Sequence, residues 1–368
     1  MLKGVNFIKI LIAGPGFNNY TISIGEAFKK LNQDVKILNY PLLEKIIPEA
    51  KLYYYKKIGK IKTLQELETY KFKVNLRKIQ AYNKKLYLLI KTFSPDLLLV
   101  LKGDIIFPQI IKKISNNNNI IPILWCYDNI SPLSNVLRTL KYYKTIYVFD
   151  QSDLLVLKEY KTIGKFLPMG YDSDFYYKTQ STDKNIDVSF VGTLEGGLNL
   201  EYRIRDELLI NLIKNFPKLN IEIFGKTWAK INFLIAYKYL IKYRELGKHI
   251  NNHILNHKEI NTIYNNSKVC LNIHRENQIG ALNPRTFEIL GAGGFQIIDY
   301  KPILEDFFDI DKEIVSYRNE KELLKKINYY LENEDERNII AQRGYNKVIK
   351  KHTFLHRAQK ILAETEMC

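Results

Sequence analysis

The sequence predicts an α/β protein built from two doubly wound parallel-sheet domains. Three observations lead there. Short apolar runs alternate with amphipathic segments of helical period, the alternation restarts near the middle of the chain, and 368 residues suit about two domains. Strands with few polar interruptions are those buried on both faces of a parallel sheet covered by helices. Hydrophobic content of 46% and aromatic content of 12% supply apolar surface for two cores and exclude a mostly disordered chain.

The first half reads as follows. Phe7–Ala13 is a buried strand, Gly14-Pro15-Gly16 a tight turn, Thr21–Leu31 an amphipathic helix and Asp34–Asn39 a second strand. Lys9 interrupts the apolar start and no small-x-small cleavage pattern follows, so the start is read as strand and not as signal peptide. Asp96–Leu101 (strand), Pro108–Ile114 (helix), Ile121–Trp125 (strand), Thr145–Phe149 (strand) and Ser152–Tyr160 (helix) complete a first domain at about residue 170. After the connector Pro168-Met169-Gly170-Tyr171-Asp172 the pattern restarts. Asp187–Val191 is a strand ending in Gly192, Glu201–Lys214 a helix and Asn220–Phe224 a strand, with a helical stretch to about Gly247. Glu259–Asn265 (helix), Val269–Ile273 (strand), Arg285–Leu290 (helix), Phe295–Asp299 (strand) and Glu313–Tyr317 (strand) follow, and helices fill the rest. The second domain is expected over 171–345, with 346–368 a C-terminal helix crossing back to the first. Ligands of such sheets bind beyond the carboxyl ends of the strands, so two facing sheets would enclose a cleft.

The formal charge of +17 is unevenly spread. Between Lys51 and Phe93 stand 12 Lys or Arg against two acids, Glu66 and Glu68, with eight Tyr or Phe among them. This basic helical region (41–93) and a second one, Lys226–Lys248, carry apolar residues at helical spacing. Three readings stand: a solvated face, a face for an anionic membrane or polyanionic acceptor, and a nucleic-acid surface. No apolar run approaches the roughly 18 residues needed to span a bilayer. Cys126, Cys270 and Cys368 are too few and scattered for a disulfide framework or zinc site. The expectation is a reduced, cytoplasmic protein, at most peripheral on the inner membrane face.

The densest chemistry is Leu271-Asn272-Ile273-His274-Arg275, then Asn283-Pro284-Arg285-Thr286-Phe287-Glu288, then the Gly-rich exit Gly291-Ala292-Gly293-Gly294. Pro at a helix start is preorganised and the free N–H groups there attract phosphate. Arg285 in the first turn opposes the helix dipole, which makes sense if an anion sits between them. Glu288, one turn on, could accept two ribose hydroxyls. The plainer alternative is a surface Arg–Glu pair at i, i+3, worth tenths of a kcal/mol. His274 is either a phosphate or hydroxyl contact or a satisfied structural histidine. No GxxxxGK[ST], HExxH or GxSxG motif is present, and Asp172-Ser173-Asp174 sits in the connector, where turn chemistry and not metal is expected.

The run Arg285-x-x-Phe-Glu288-x-x-x-x-Gly293-Gly294-Phe295, with Asp187-Val-Ser-Phe-Val-Gly192, resembles the glycosyltransferases of the GT-B fold, and more narrowly the branch of the spore-maturation protein CgeB. Trp125-Cys-Tyr-Asp128-Asn129, Leu167 to Asp172, and the tail from Tyr329-Tyr330-Leu331 through His352-Thr353-Phe354 are similar to that branch too. The resemblance covers most of the chain from about Asp96 and leaves out the basic helical region. It implies two Rossmann-like domains facing a cleft, with the acceptor in the first and a nucleotide-sugar in the second; the donor base stays open among UDP, GDP, dTDP and CMP. Glu288 would hold the donor ribose. Arg285, the Gly192-Thr193 loop and Arg203 or Arg205 would lie near the diphosphate, with Asn283 and His274 beside them. The better-known pair of acids eight positions apart is missing its first member, since Gly280 stands there.

All six histidines lie in the second half, so a general base from the first domain would be a carboxylate. Asp128 is the first choice and Asp104 the runner-up; alternatively Asp128-Asn129 only caps a turn. Gly14 and Gly16 would let a sugar approach the backbone, or merely turn a strand into a helix. The expected activity is sugar transfer to a hydroxyl acceptor (glycan, glycolipid, protein or other polyanion, even modified DNA), without metal or cofactor. The rivals are a nucleotide-sugar 2-epimerase of the same fold and a basic nucleic-acid or membrane binding protein without turnover.

Overall fold

A computed structural model describes residues 7–16, 19–41, 43, 64–116, 119–180, 183–194, 203–225, 247–251, 255–275, 278 and 280–366. The chain divides into two compact units, one reaching to Met169 and taking up the chain again from Phe354, the other Gly170–Thr353. Most of the second basic stretch, residues 226–246, lies outside the described residues, as does much of the first up to residue 63.

The first unit runs β1 (Lys9–Gly14), α1 (Tyr20–Lys30), β2 (Asp34–Asn39), α2 (Leu64–Val74), α3 (Leu76–Phe93), β3 (Leu97–Leu101), α4 (Pro108–Ser115), β4 (Ile121–Cys126), α5 (Ser134–Thr139), β5 (Thr145–Val148), α6 (Asp153–Glu159) and β6 (Lys165–Phe166). Its six parallel strands are ordered β2-β1-β3-β4-β5-β6. Every residue of β3 is buried, as expected for a central strand covered on both faces. Helix α3 turns Ile79, Tyr82, Leu86, Ile90 and Phe93 inward at helical spacing. Its one buried amide, Asn83, donates to the Ile105 carbonyl at 2.8 Å and accepts from the Phe107 N–H at 2.8 Å, pinning the loop after β3.

The second unit runs β7 (Ile186–Val191), α7 (Arg203–Asn215), β8 (Ile221–Phe224), β9 (Ile250–Asn251), α8 (His257–Asn266), β10 (Ser267–Asn272), α9 (Arg285–Gly291), β11 (Gln296–Asp299), β12 (Val315–Tyr317), α10 (Glu320–Glu332) and α11 (Glu334–Lys351). Its parallel strands are ordered β12-β11-β10-β7-β8-β9. Asn256 caps α8 with a reciprocal box to Glu259.

The strand and helix expectations meet these elements within a few residues; β6, β9 and α5 are too short for periodicity to show. The helix expected over 346–368 is in fact two. Residues 346–351 finish α11, and α12 (Phe354–Glu366) belongs to the first unit, where it packs on α1. Tyr147 and Lys165 both donate to Glu364 of α12, at 2.7 and 2.9 Å, and buried Arg357 donates to the Pro168 and Met169 carbonyls. The break falls at His352, where Tyr171 N–H meets the His352 carbonyl at 3.1 Å.

Candidate functional site

In a doubly wound sheet the loops leaving two neighbouring strands diverge where the strand order reverses, and a crevice opens there. In the second unit that point lies between β7 and β10, which are followed by Gly192-Thr193 and Ile273-His274. Arg205 of α7, 2% exposed, ties the two loops together. Its Nη1 donates to the Thr193 carbonyl at 2.8 Å and its Nη2 to the Ile273 carbonyl at 2.6 Å. The guanidinium stacks 5.4 Å from the Phe190 ring centre. Arg205 therefore serves the strand ends, fastening the two loops that flank the crevice.

Gly192 is held by its N–H to the Phe224 carbonyl at 2.8 Å. A Cβ there would sit 2.8 Å from the Phe190 ring and 3.3 Å from Arg285 Nη1. The absent side chain is what lets the Arg285 guanidinium lie against this loop. Arg285 makes no hydrogen bond or ion pair among the described residues, and its Nε is buried without a partner. The surface Arg–Glu pair is not observed: Glu288 is buried at 4% exposure, and no ion pair joins it to Arg285 among the described residues.

Helix α9 is positioned from below by a buried amide network. Asn272 Nδ2 donates to Asn283 Oδ1 (3.1 Å), Thr286 Oγ1 (3.3 Å) and Gln296 Oε1 (2.9 Å), while its Oδ1 accepts from Asn283 Nδ2 at 2.9 Å. Gln296 Nε2 returns to the Thr286 carbonyl at 3.0 Å. Asn283 is thus a latch for the helix start, its amide engaged by Asn272 and Thr286. Tyr264 of α8 lies within the field of this helix: burial first, then the Glu288 charge, pushes its hydroxyl well up, against the opposite pull of Arg285.

Beside this, His274 has its ring Nδ1 2.8 Å from Asp299 Oδ1, which also accepts the His274 backbone N–H at 2.8 Å. Burial raises the Asp299 carboxyl, but the His274 charge and hydrogen bonds, with Lys301, outweigh it and hold it below its ordinary value. The structure brings Gly192, Thr193, Arg205, His274, Asn283, Arg285 and Glu288 to the carboxyl-end side of one sheet, around β7 and β10. Arg203 opens α7, and its side chain lies outside the described residues.

The first unit reverses between β1 and β3, followed by Gly14-Pro15-Gly16 and Lys102-Gly103-Asp104. Gly14 has a packing reason: a Cβ there would lie 2.7 Å from Leu101 Cβ; one on Gly16 would meet Asn39 at 3.3 Å. Lys102 (φ +72°) and Gly103 (φ +81°) form a left-handed pair, a conformation costly for lysine and met at functional sites. Lys102 Nζ reaches Asp128 at 2.9 Å and Asp104 at 3.3 Å, so one ammonium joins both carboxylates predicted from sequence. Tyr40 holds the turn, donating to the Leu101 carbonyl at 3.1 Å and accepting the Gly103 N–H at 3.0 Å. Behind Asp128, buried Asp153 accepts the Ile130 N–H at 3.2 Å. Lys102, Asp153, Asp299 and Tyr317 carry no signal of a site role in the sequence, except that Lys102 and Asp104, two opposite charges around a glycine directly after an all-apolar strand, mark Lys102.

Solved structures share this architecture over nearly the whole chain. Sucrose-phosphate synthase (tll1590) from Thermosynechococcus elongatus superposes with a TM-score of 0.67 at 11% identity, covering 98% of each chain. The fold is GT-B. A glycosyltransferase from Rickettsia africae ESF-5 gives 0.65 at 13% identity, again over 98% of each chain. Anabaena Alr3699/HepE, in complex with UDP and glucose, gives 0.63 at 11% identity over 98% of this chain and all of that one. A family model described as "Glycosyl transferase-like" matches residues 203–363, from α7 into α12. No curated protein matches in sequence.

Proposed function

We propose that this GT-B protein is a glycosyltransferase that takes a sugar from a nucleotide-sugar, UDP-linked in the first instance, and transfers it to a hydroxyl acceptor. The observation that carries the reading is Arg285. A guanidinium with no counter-anion among the described residues lies against Gly192, where no side chain intervenes, at the strand-reversal point of the second unit. That is the arrangement a diphosphate fills, because phosphate oxygens match the guanidinium fork and a glycine without a Cβ leaves them room to approach the loop. The HepE structure with UDP and glucose, and the family match over residues 203–363, support it.

In this reading Arg285 and the Gly192-Thr193 loop take the diphosphate and its charge as the anomeric C–O bond breaks, without metal. Glu288 accepts the ribose hydroxyls. Asp128, with Asp104 as runner-up, accepts the proton of the acceptor hydroxyl, and Lys102, within ion-pair distance of both, holds the carboxylates in place. A thermal-shift series with UDP, GDP, dTDP and CMP tests the donor site: UDP raises the melting temperature, and Arg285→Ala weakens UDP about 10–100-fold, as loss of a charge-assisted contact does. Equal UDP affinity in Arg285→Ala and the parent protein, or no stabilisation by any of the four, overturns the reading. Turnover in EDTA tests independence of metal.

The acceptor is read as anionic or membrane-borne. Helix α3 carries no acid and exposes Arg77, Lys78, Lys84, Lys85 and Lys91 around Leu88, which is 59% exposed. Lys91 of α3 and Lys113 of α4 sit 4.9 and 5.0 Å from the Tyr87 ring centre, extending the basic face across two helices. Such a face suits a headgroup layer.

A further inference from the structure

We propose that His274 donates a hydrogen bond from Nε2 to the diphosphate of the bound nucleotide-sugar, and that Asp299 is its positioning residue. The proposal rests on the donor-site reading above and adds a group that makes nucleotide binding depend on pH.

The position comes first. His274 follows β10 at the strand-reversal point, and the Arg205 clamp fastens the preceding Ile273 carbonyl to the Thr193 carbonyl. Thr193 adjoins Gly192, against which Arg285 lies. The imidazole and the unpaired guanidinium thus flank one loop.

Orientation comes second. Asp299 Oδ1 meets both the backbone N–H and ring Nδ1 of His274 at 2.8 Å, a two-point contact that fixes the ring and places a proton on Nδ1. Only Nε2 is left for a ligand.

The third point is what Nε2 lacks. The side chain is fully out of solvent, and Nε2 has no hydrogen-bond partner among the described residues; the same holds for the buried hydroxyl of Tyr317, on the strand paired with Asp299. Buried polar atoms in native proteins are nearly always satisfied, so orphans at a strand-reversal crevice point to a missing ligand.

The charged and titratable groups around the ring are Asp299 of β11, Lys301 just after it, Tyr317 of β12, Arg205 of α7 and Arg275 next in sequence. With a carboxylate on one side and a diphosphate on the other, the doubly protonated ring is favoured on binding. A proton is then taken up from solvent onto Nε2 and stays there; no covalent bond to the ligand forms or breaks.

Calorimetric titration with UDP from pH 6 to 8, in buffers of different ionisation heat, tests this with the parent protein, Asp299→Asn and His274→Gln. The parent protein takes up protons on binding UDP, and its affinity falls about tenfold over the range beyond the change due to the phosphate itself. Both variants, shown folded by circular dichroism, lose that uptake and the extra slope. If UDP binds all three with equal proton uptake, the pair is overturned while the donor site stands. If UDP does not bind the parent protein, the donor-site reading fails and the pair with it.

Discussion

Asp153 shows how one buried carboxyl links stability to pH. Burial, with smaller contributions from the charges of Asp150 and Asp128, pushes it from 3.8 up to about 7, against hydrogen bonds from the Ile130 N–H and Asn129. Between about pH 4 and pH 7 the folded chain holds a proton there that the unfolded chain has lost. Its contribution therefore falls as pH rises across that window and is flat above it. Asp153→Asn removes this dependence, so the stability difference between variant and parent protein should shift in the variant's favour by about 1–3 kcal/mol from pH 5 to pH 8. Urea unfolding at the two pH values measures it, and an unchanged difference would rule the assignment out. The same scale shows what sequence alone can carry. Arg285 in a first helical turn was legible as an electrostatic oddity, and the unpaired guanidinium fits that. Arg205 was not, because nothing in the local sequence says that its fork is spent on carbonyls from two strands 80 residues apart in the chain order of β7 and β10.

At the scale of elements, helix α9 illustrates why a short helix can be fixed in place. Seven residues make too little helix to be stable alone, so tertiary contacts hold it. Asn272, Asn283, Thr286 and Gln296 supply them as a closed amide network from two strands and the helix start. Asn272→Ala leaves the amides of Asn283 and Gln296 short of partners and should cost about 2–3 kcal/mol in denaturant unfolding. It should also weaken UDP binding by loosening Arg285. A cost within error of zero would show that the network does not hold the helix. The strand and helix sequence patterns gave these elements readily, because each is a periodic run, whereas the network joins residues up to 24 positions apart and has no periodic signature.

The charge of +17 belongs to the whole molecule. Among the described residues no helix is long and apolar enough to cross a membrane. Attraction of the α3 face to acidic headgroups would instead be electrostatic and screened by salt. Sedimentation with vesicles of 30% phosphatidylserine should capture the protein at 50 mM salt, lose most of it by about 500 mM, and capture little of a Lys84→Glu, Lys85→Glu double variant. Equal capture by neutral phosphatidylcholine vesicles, or by the double variant, would count against the surface.

The amino-acid sequence by itself determined that this is a twice-repeated α/β architecture, where its strands and helices fall, and which short run, Asn283 to Glu288, holds its densest chemistry. Those are properties of local periodicity, turn residues and charge, all written within a few consecutive positions. Only the tertiary structure decided that Arg285 lies unpaired against Gly192, that Lys102 joins Asp104 to Asp128, and that Asp299 aims His274. Each of those depends on strand order, which brings distant strand ends together and is fixed by the burial of whole sheets and not by any one segment.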